Sequence, residues 1–271
     1  MKILISTDIE GVAGVVHHQQ VRAGNPEYER ARVLMTHEAN AAIAGAFDAG
    51  ATEVLVNDSH GDFRNMAAEQ LDPRARFVLG KPRYLGMMAG VDQGVAAVCL
   101  VGYHSRAQGR GILAHTINSF AFSRVLFNDA EMGEAGIYGA LAGEYGVPVV
   151  MASGDDAFIE EHRPLLPRAV FVQTKRATGQ TSGISLSPDE ARAAIRAGVT
   201  AALRSQPPAP YRVATPLEVR IQTQIPALAD LFCQWPTLRR LAGDEVGFGA
   251  PSVEAAVRMI NCLSAMSAVL R

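Results

Sequence analysis

The sequence predicts an α/β protein: a mostly parallel sheet flanked by helices, with a smaller α+β portion toward the C-terminus. Three observations predict it. Several short runs, among them Lys2–Thr7, Glu53–Val56 and Val95–Val101, are apolar with almost no polar alternation, as strands covered on both faces are. Helical patterns separate them, so consecutive strands call for crossover connections. Farther along, Leu217–Gln222 (LEVRIQ) alternates apolar and polar, the mark of a strand with one wet face.

The elements follow in order. KILIST reads as a buried first strand. Asn25-Pro26 opens a helix, with Asn as the cap and Pro in the first turn. Tyr28, Ala31, Met35, Ala39, Ala42 and Ala46 give it an apolar face, and Gly50 ends it. EVLV (53–56) is the second strand, RFVL (76–79) a further one, and VAAVCLV (95–101) a central one. Residues 119–127 alternate as an edge strand or half a hairpin. Residues 131–145 read as a helix closed by Gly146, and VPVVMA (147–152) as another core strand. Ser187-Pro188-Asp189-Glu190 is a capping box opening a helix to about Ser205. QPPAP (206–210) is a linker-like break, and Ser252 starts a mostly apolar terminal helix. The division expected is a metal-binding α/β core over 1–170. The α+β remainder, 171–271, contributes packing and oligomerisation.

With 271 residues and 48% hydrophobic content, the chain can bury a substantial core. A net charge of −2 argues against a polyanion, so no nucleic-acid partner is expected. Cys99, Cys233 and Cys262 lie in apolar surroundings without regular spacing. They read as buried, reduced thiols rather than a disulfide framework. No secretory pattern opens the sequence, and no apolar run reaches the roughly 18 residues of a membrane span. The expectation is a soluble, cytoplasmic protein with no membrane partner.

Chemistry-bearing residues recur just past the carboxyl ends of the predicted strands. The first strand exits into Asp8-Ile9-Glu10-Gly11, the second into Asn57-Asp58-Ser59-His60, and the central one into Gly102-Tyr103-His104. Open parallel sheets bind ligands in that crevice. Asp8 and Glu10, two apart, point to one side if the backbone is extended. Close carboxylates repel, and a divalent cation resolves the repulsion. Added imidazoles make a mixed N/O set suited to zinc. With Glu134 as a fifth ligand and one bridging carboxylate, two ions can be held.

Each residue also has a bland reading. Asp8 is a turn former or cap, Glu10 a solvated turn residue, His60 a loop histidine and His104 a hydrogen-bonded core histidine. Glu134 is a helix-surface carboxylate and His115 a structural histidine. Asp155 and Asp156 read as a helix cap or as supporting groups behind the site. Convergence on one sheet edge is what favours the metal site.

The ordered set Ser6–Gly14, Asn57–His60, Gly102–His104, Ala114-His115-Thr116 and Gly133-Glu134 resembles the DppA-type zinc D-aminopeptidases. The resemblance implies two zinc ions per subunit. Asp8 then bridges, Glu10 and His60 complete one ion, and His104 and Glu134 complete the other. It implies a catalytic His115, short peptide substrates losing an N-terminal D-residue such as D-Ala, and a ring-shaped homodecamer. Ser105 and the Ala114 and Thr116 flanks of His115 depart from the family's usual residues. Two other classes stay open. One is a different two-metal hydrolase, an amidase or phosphoesterase; the other is a non-catalytic binding protein for a metal or small molecule.

Overall fold

The computed structural model describes residues 1–271. Its first part comprises β1 (Lys2–Thr7), α1 (Pro26–Asp48), β2 (Glu53–Asp58), β3 (Arg76–Val78), β4 (Ala97–Val101), β5 (Phe122–Phe127), β6 (Ala130–Glu131), α2 (Glu134–Glu144) and β7 (Val149–Asp155). The rest comprises α3 (Asp156–His162), β8 (Val170–Gly179), β9 (Ser182–Ser185), α4 (Pro188–Arg204), β10 (Leu217–Thr223), α5 (Pro226–Phe232), β11 (Arg239–Ala242), β12 (Glu245–Ala250) and α6 (Val253–Met266).

A 7-stranded sheet A runs β3-β2-β1-β4-β7-β8-β9. Its pairs are parallel from β3 through β8, and β9 is antiparallel at the far edge. A 5-stranded antiparallel sheet B runs β11-β12-β10-β5-β6. The expected α/β class with an α+β portion is what the chain adopts. The sheets do not part at residue 170, however. Sheet A continues to Ser185, and sheet B takes its β5–β6 hairpin from the first part of the chain. Pairing is the reason: β10 hydrogen-bonds β5 on one side and β12 on the other.

Sheet A separates two cores. Ile3 and Ile5 of β1, with Ala97, Cys99 and Val101 of β4, join the cluster under α1 and α4. The alternate residues Leu4, Val98 and Leu100 join the other cluster, with α2, α6 and sheet B. A strand that serves both faces has no polar positions to spare, which explains the continuous apolar runs. Caps fix the helix starts. Asn25 accepts from the Glu27 and Tyr28 N–H groups at the head of α1, and Ser187 accepts from Glu190 at the head of α4. Gly50, at φ +88, turns the chain out of α1.

Two expectations change. Cys99 is buried, but Cys233 is half-buried and Cys262 exposed. Cys262 lies off the stripe Val253, Ala256, Val257, Ile260 and Leu263 that α6 commits to the core. In addition, the 18 residues Val253–Leu270 do meet the length and hydropathy criteria of a membrane span, although that stripe packs inside the fold.

Helix α1 buries one carboxylate, Glu38, 2% exposed. It accepts the Ala13 N–H at 2.9 Å. Burial raises its pKa to about 7, against the pull of that hydrogen bond and of Lys175. A carboxyl with a raised folded pKa lends stability that is full below its ordinary value and lost as pH rises through 7. Glu38→Gln keeps an acceptor for Ala13 and cannot ionise. The variant should match the wild type at pH 4.5 and exceed it at pH 8 by up to a few kcal/mol. Urea unfolding at the two pH values checks this, and equal stability at both would refute a protonated Glu38.

Candidate metal centre

Three parallel strands end side by side and deliver the site. Thr7 pairs with Asp58 of β2 and with Val101 of β4, so the segments that follow share one sheet edge. Asp8 and Glu10 do not lie on extended backbone. After β1 the chain bends into a turn, closed by Val12 N–H to Ile9 carbonyl at 3.2 Å. The turn itself is locked against the β4 exit: Asp8 N–H donates to Val101 and Gly11 N–H to Gly102, at 2.8 and 2.7 Å. A Cβ on Gly11 would stand 2.0 Å from the Tyr103 carbonyl oxygen, so only glycine permits this approach.

Behind the turn stands Lys175 of β8, 2% exposed. Its ammonium donates to the Glu10 and Val15 carbonyls, and burial lowers its pKa to about 8. Thr174 donates to the Gly11 carbonyl at 2.6 Å. Beneath the site, Ser6 Oγ lies 2.7 Å from Tyr103 Oη and 2.6 Å from Ser59 Oγ.

The predicted ligands meet. Asp8, Glu10, His104 and Glu134 are all 3% exposed or less. His60 Nδ1 lies 3.2 Å from Asp8 Oδ1 and 3.1 Å from Glu10 Oε2. His104 Nε2 lies 3.5 Å from Asp8 Oδ2 and 3.5 Å from Glu134 Oε1. The two oxygens of Asp8 thus face two different imidazoles, one on each side. Glu134 is the first residue of α2, and its Oε1 accepts the Ile117 N–H at 2.5 Å. Asp58 is not part of this group: its carboxylate accepts the N–H groups of Asn65 and Met66.

The imidazoles are aimed. His60 donates through Nε2 to the Val21 carbonyl at 2.8 Å. His104 and His115 donate through Nδ1 to the carbonyls of Ser105 and Leu113, at 2.9 and 3.0 Å. Carbonyls only accept, so the far nitrogen of each ring holds the proton and the near nitrogen turns a lone pair toward the carboxylates. Lone pairs facing carboxylates repel unless a positive charge lies between them. Without a metal, protons must serve. Burial works against a charged His60 or His104, yet Glu10 and Asp8 hold His60, and Glu134 and Asp8 hold His104, well above the ordinary imidazole pKa. Burial opposes ionised Glu10 and Glu134 as well, but His60 draws the first well down and His104 the second down. Asp8 is pushed up by burial and by Glu10. The buried Nε2 of His104 has no hydrogen-bond partner. Mixed carboxylate and imidazole donors with an orphaned nitrogen fit a zinc-type cation.

Distance alone would add His115 to the ligands, since ligand atoms of His104, His115 and Glu134 lie within 4.8 Å of one another. The ring geometry opposes it. The His104 and His115 rings stack 4.1 Å apart at 11°. A nitrogen lone pair lies in its ring plane, so an ion in the plane of His104 falls outside that of His115. His115 is therefore not aimed at an ion that His104 would hold, and its Nε2 lies 3.7 Å from Glu134 Oε1.

Its loop is tightly held. Leu113 and Ile117 adopt positive φ, strain of the kind that gathers at functional sites. Asp155 pins the loop by accepting the Ile112 N–H at 2.6 Å, and it also caps α3 through Phe158 N–H. Asp156 accepts the Ala177 N–H at 2.7 Å.

A family-wide profile described as D-aminopeptidase, peptidase family M55, matches residues 1–262. The chain belongs to this M55 family. A D-aminopeptidase of Bacillus subtilis (strain 168) is 38% identical over 191 residues, 70% of this chain and 69% of that protein. The solved Zn-dependent D-aminopeptidase DppA of Bacillus subtilis, a self-compartmentalizing protease, superposes with a TM-score of 0.95 at 30% identity, over 99% of this chain and 98% of that one. The α/β class and the family expected from the sequence are both borne out, and the M55 assignment makes the chain a metallopeptidase. Lys175 and Thr174, which tie the M55 ligand turn from behind, had no signal in the sequence: both act on backbone carbonyls, and Lys175 is 165 residues from Glu10.

Proposed function

We propose that this protein is a cytoplasmic zinc aminopeptidase that removes an N-terminal D-residue, such as D-Ala, from short peptides. Two zinc ions per subunit fit best. Asp8 then serves both ions, with Glu10 and His60 on one and His104 and Glu134 on the other. The observation that carries the two-ion reading is the split of Asp8, whose Oδ1 and Oδ2 face His60 and His104 respectively. The family assignment and the Bacillus subtilis relatives support the peptidase reading.

Bound zinc supplies Lewis-acid activation of water and polarisation of the scissile carbonyl. The chain's own groups do the rest. Three backbone carbonyls hold His60, His104 and His115 in one tautomer each, so the donor set is preorganised. Asp8, Glu10 and Glu134 are engaged by imidazoles, which leaves His115 as the acid–base group. Its Nε2, which carries a lone pair while Nδ1 donates to Leu113, takes a proton from the attacking water and passes it to the departing amine. The Leu113 carbonyl orients the ring through Nδ1, and Glu134, 3.7 Å from Nε2, stabilises the imidazolium when that nitrogen is protonated.

A homo-oligomer, a decamer on the family reading, is supported by the self-compartmentalizing character of the solved relative. Exposed Tyr84, Trp235 and Val269 supply apolar surface for such contacts. The test is zinc analysis joined to release of D-Ala against L-Ala from matched peptides, before and after chelation. The expected result is two ions per chain and D-selective release that chelation abolishes and zinc restores. Zinc without peptide turnover would favour a phosphoesterase or a binding role, and absence of metal would refute the centre.

A further inference from the structure

The peptide between Ser105 and Arg106 lies in the middle of a chain of hydrogen bonds that ends on a carboxylate. Its carbonyl oxygen accepts from His104 Nδ1 at 2.9 Å and from the His115 N–H at 3.3 Å. Its N–H, contributed by Arg106, donates to Glu161, 3.1 Å from Oε2 and 3.3 Å from Oε1. A peptide unit is planar, so whatever fixes its N–H also fixes the direction of its carbonyl. Here that carbonyl holds the ring of one candidate ligand and the backbone of the acid–base residue. An N–H given to a carboxylate also polarises the peptide and makes its carbonyl a stronger acceptor. An imidazole whose far nitrogen is held by a stronger acceptor is better aimed and more basic toward a metal.

Glu161 belongs to α3, and its carboxylate is held in place on several sides. Arg106 Nη1 donates to Oε2 at 3.1 Å, while Arg106 Nε lies 3.3 Å from Glu131 Oε2 of β6. His162 Nε2 lies 3.4 Å from Oε1. The same Oε1 stands against Gly133, where a Cβ would be 2.6 Å from it. Gly133 is the cap of α2 and precedes Glu134. Asp155 fixes the head of α3 by accepting the Phe158 N–H. One side chain, 14% exposed, thus touches the backbone two residues after His104 and one residue before Glu134. Its hydrogen bonds and ion pairs reach neither Glu10 nor His60.

We propose that the Glu161 carboxylate is a positioning residue for His104, acting through the Ser105–Arg106 peptide. It sets the zinc affinity of the half formed by His104 and Glu134, and leaves that of the Glu10–His60 half alone. This role rests on the two-ion reading of the centre.

Zinc titration of the metal-free protein against a chelator of known affinity reads the two halves as two binding steps. Glu161→Met, close in size but without an acceptor, should weaken one step about 10- to 100-fold, the usual loss when the group behind a liganding histidine is removed. The other step should be unchanged, and it should match the step that survives in His104→Ala. Glu161→Gln restores a neutral acceptor for the Arg106 N–H. It should weaken the same step by a smaller factor, since a charged acceptor bonds about twice as strongly as a neutral one. Equal weakening of both steps in Glu161→Met, with a lower unfolding temperature of the metal-free protein, would make Glu161 a general brace and overturn the proposal. No change in either step overturns it as well. A Glu161→Gln isotherm identical to that of the wild type also overturns it, and that measurement suffices should Glu161→Met fail to fold. A wild type that binds a single ion removes the two-ion reading itself, and this proposal with it.

Discussion

Asp8→Asn should leave the protein with neither zinc ion and with kcat/KM reduced at least about 100-fold, the upper range for loss of a mere supporting partner. The argument is geometric. Oδ1 of Asp8 faces His60 and Oδ2 faces His104, so one residue contributes to both halves of the centre. An asparagine can still accept the Ile9 N–H that Asp8 Oδ1 accepts at 2.8 Å, which keeps the turn folded. It removes the negative charge and turns one of the two oxygens into a donor. Each half is then left with one carboxylate and one imidazole. Zinc content of the dialysed variant, read beside its thermal unfolding, is the measurement. Two ions retained would sink the bridging role. Loss of one ion alone would assign Asp8 to a single half.

His115→Ala should keep both ions and lose about 10²- to 10⁴-fold in kcat, the usual contribution of a positioned acid or base. The stacking of His115 on His104 at 11° is what separates this outcome from that of Asp8. A ring stacked on His104 cannot share the ion that His104 would hold, and Glu10 and His60 serve the other half, so its removal should spare the zinc. Wild-type turnover with intact zinc would end the acid–base role. Loss of zinc would instead make His115 a ligand, against the ring geometry. Substrates with a better leaving amine should be less affected, because they need the proton less.

Much of this centre was legible in the sequence for one reason: a buried parallel strand announces itself, and ligands follow its carboxyl end. Lys2–Thr7, Glu53–Asp58 and Ala97–Val101 are such strands, and they carry Asp8, His60 and His104. Glu134 and His115 follow no such strand, and it was the family resemblance that gave Glu134 its pairing with His104 and His115 its catalytic role. The grouping of Asp8 with Glu10 was expected from extended backbone, whereas a turn achieves it. Elements without a continuous apolar run escaped notice. Both β9 and β11 are exposed throughout, and β12 interleaves two glycines. Helices α3 and α5 have 7 residues each, too few to show a period. The helix expected from residue 131 starts at Glu134, because Ala130 and Glu131 pair with β5 instead.

The shared sheet B has a consequence for how the protein is made. Glu134 follows directly on the β5–β6 hairpin, and that hairpin's outer neighbour in the sheet is β10, from residues 217–223. During synthesis the N-terminal strands emerge first and can begin to associate. The support under Glu134 cannot form until some ninety further residues have left the ribosome, roughly five to twenty seconds later. The nascent chain can present Asp8, Glu10 and His60 well before it can complete the other half of the centre. The His60 half of the site can therefore form before the Glu134 half, an order set by the topology of a sheet that contains none of the candidate ligands.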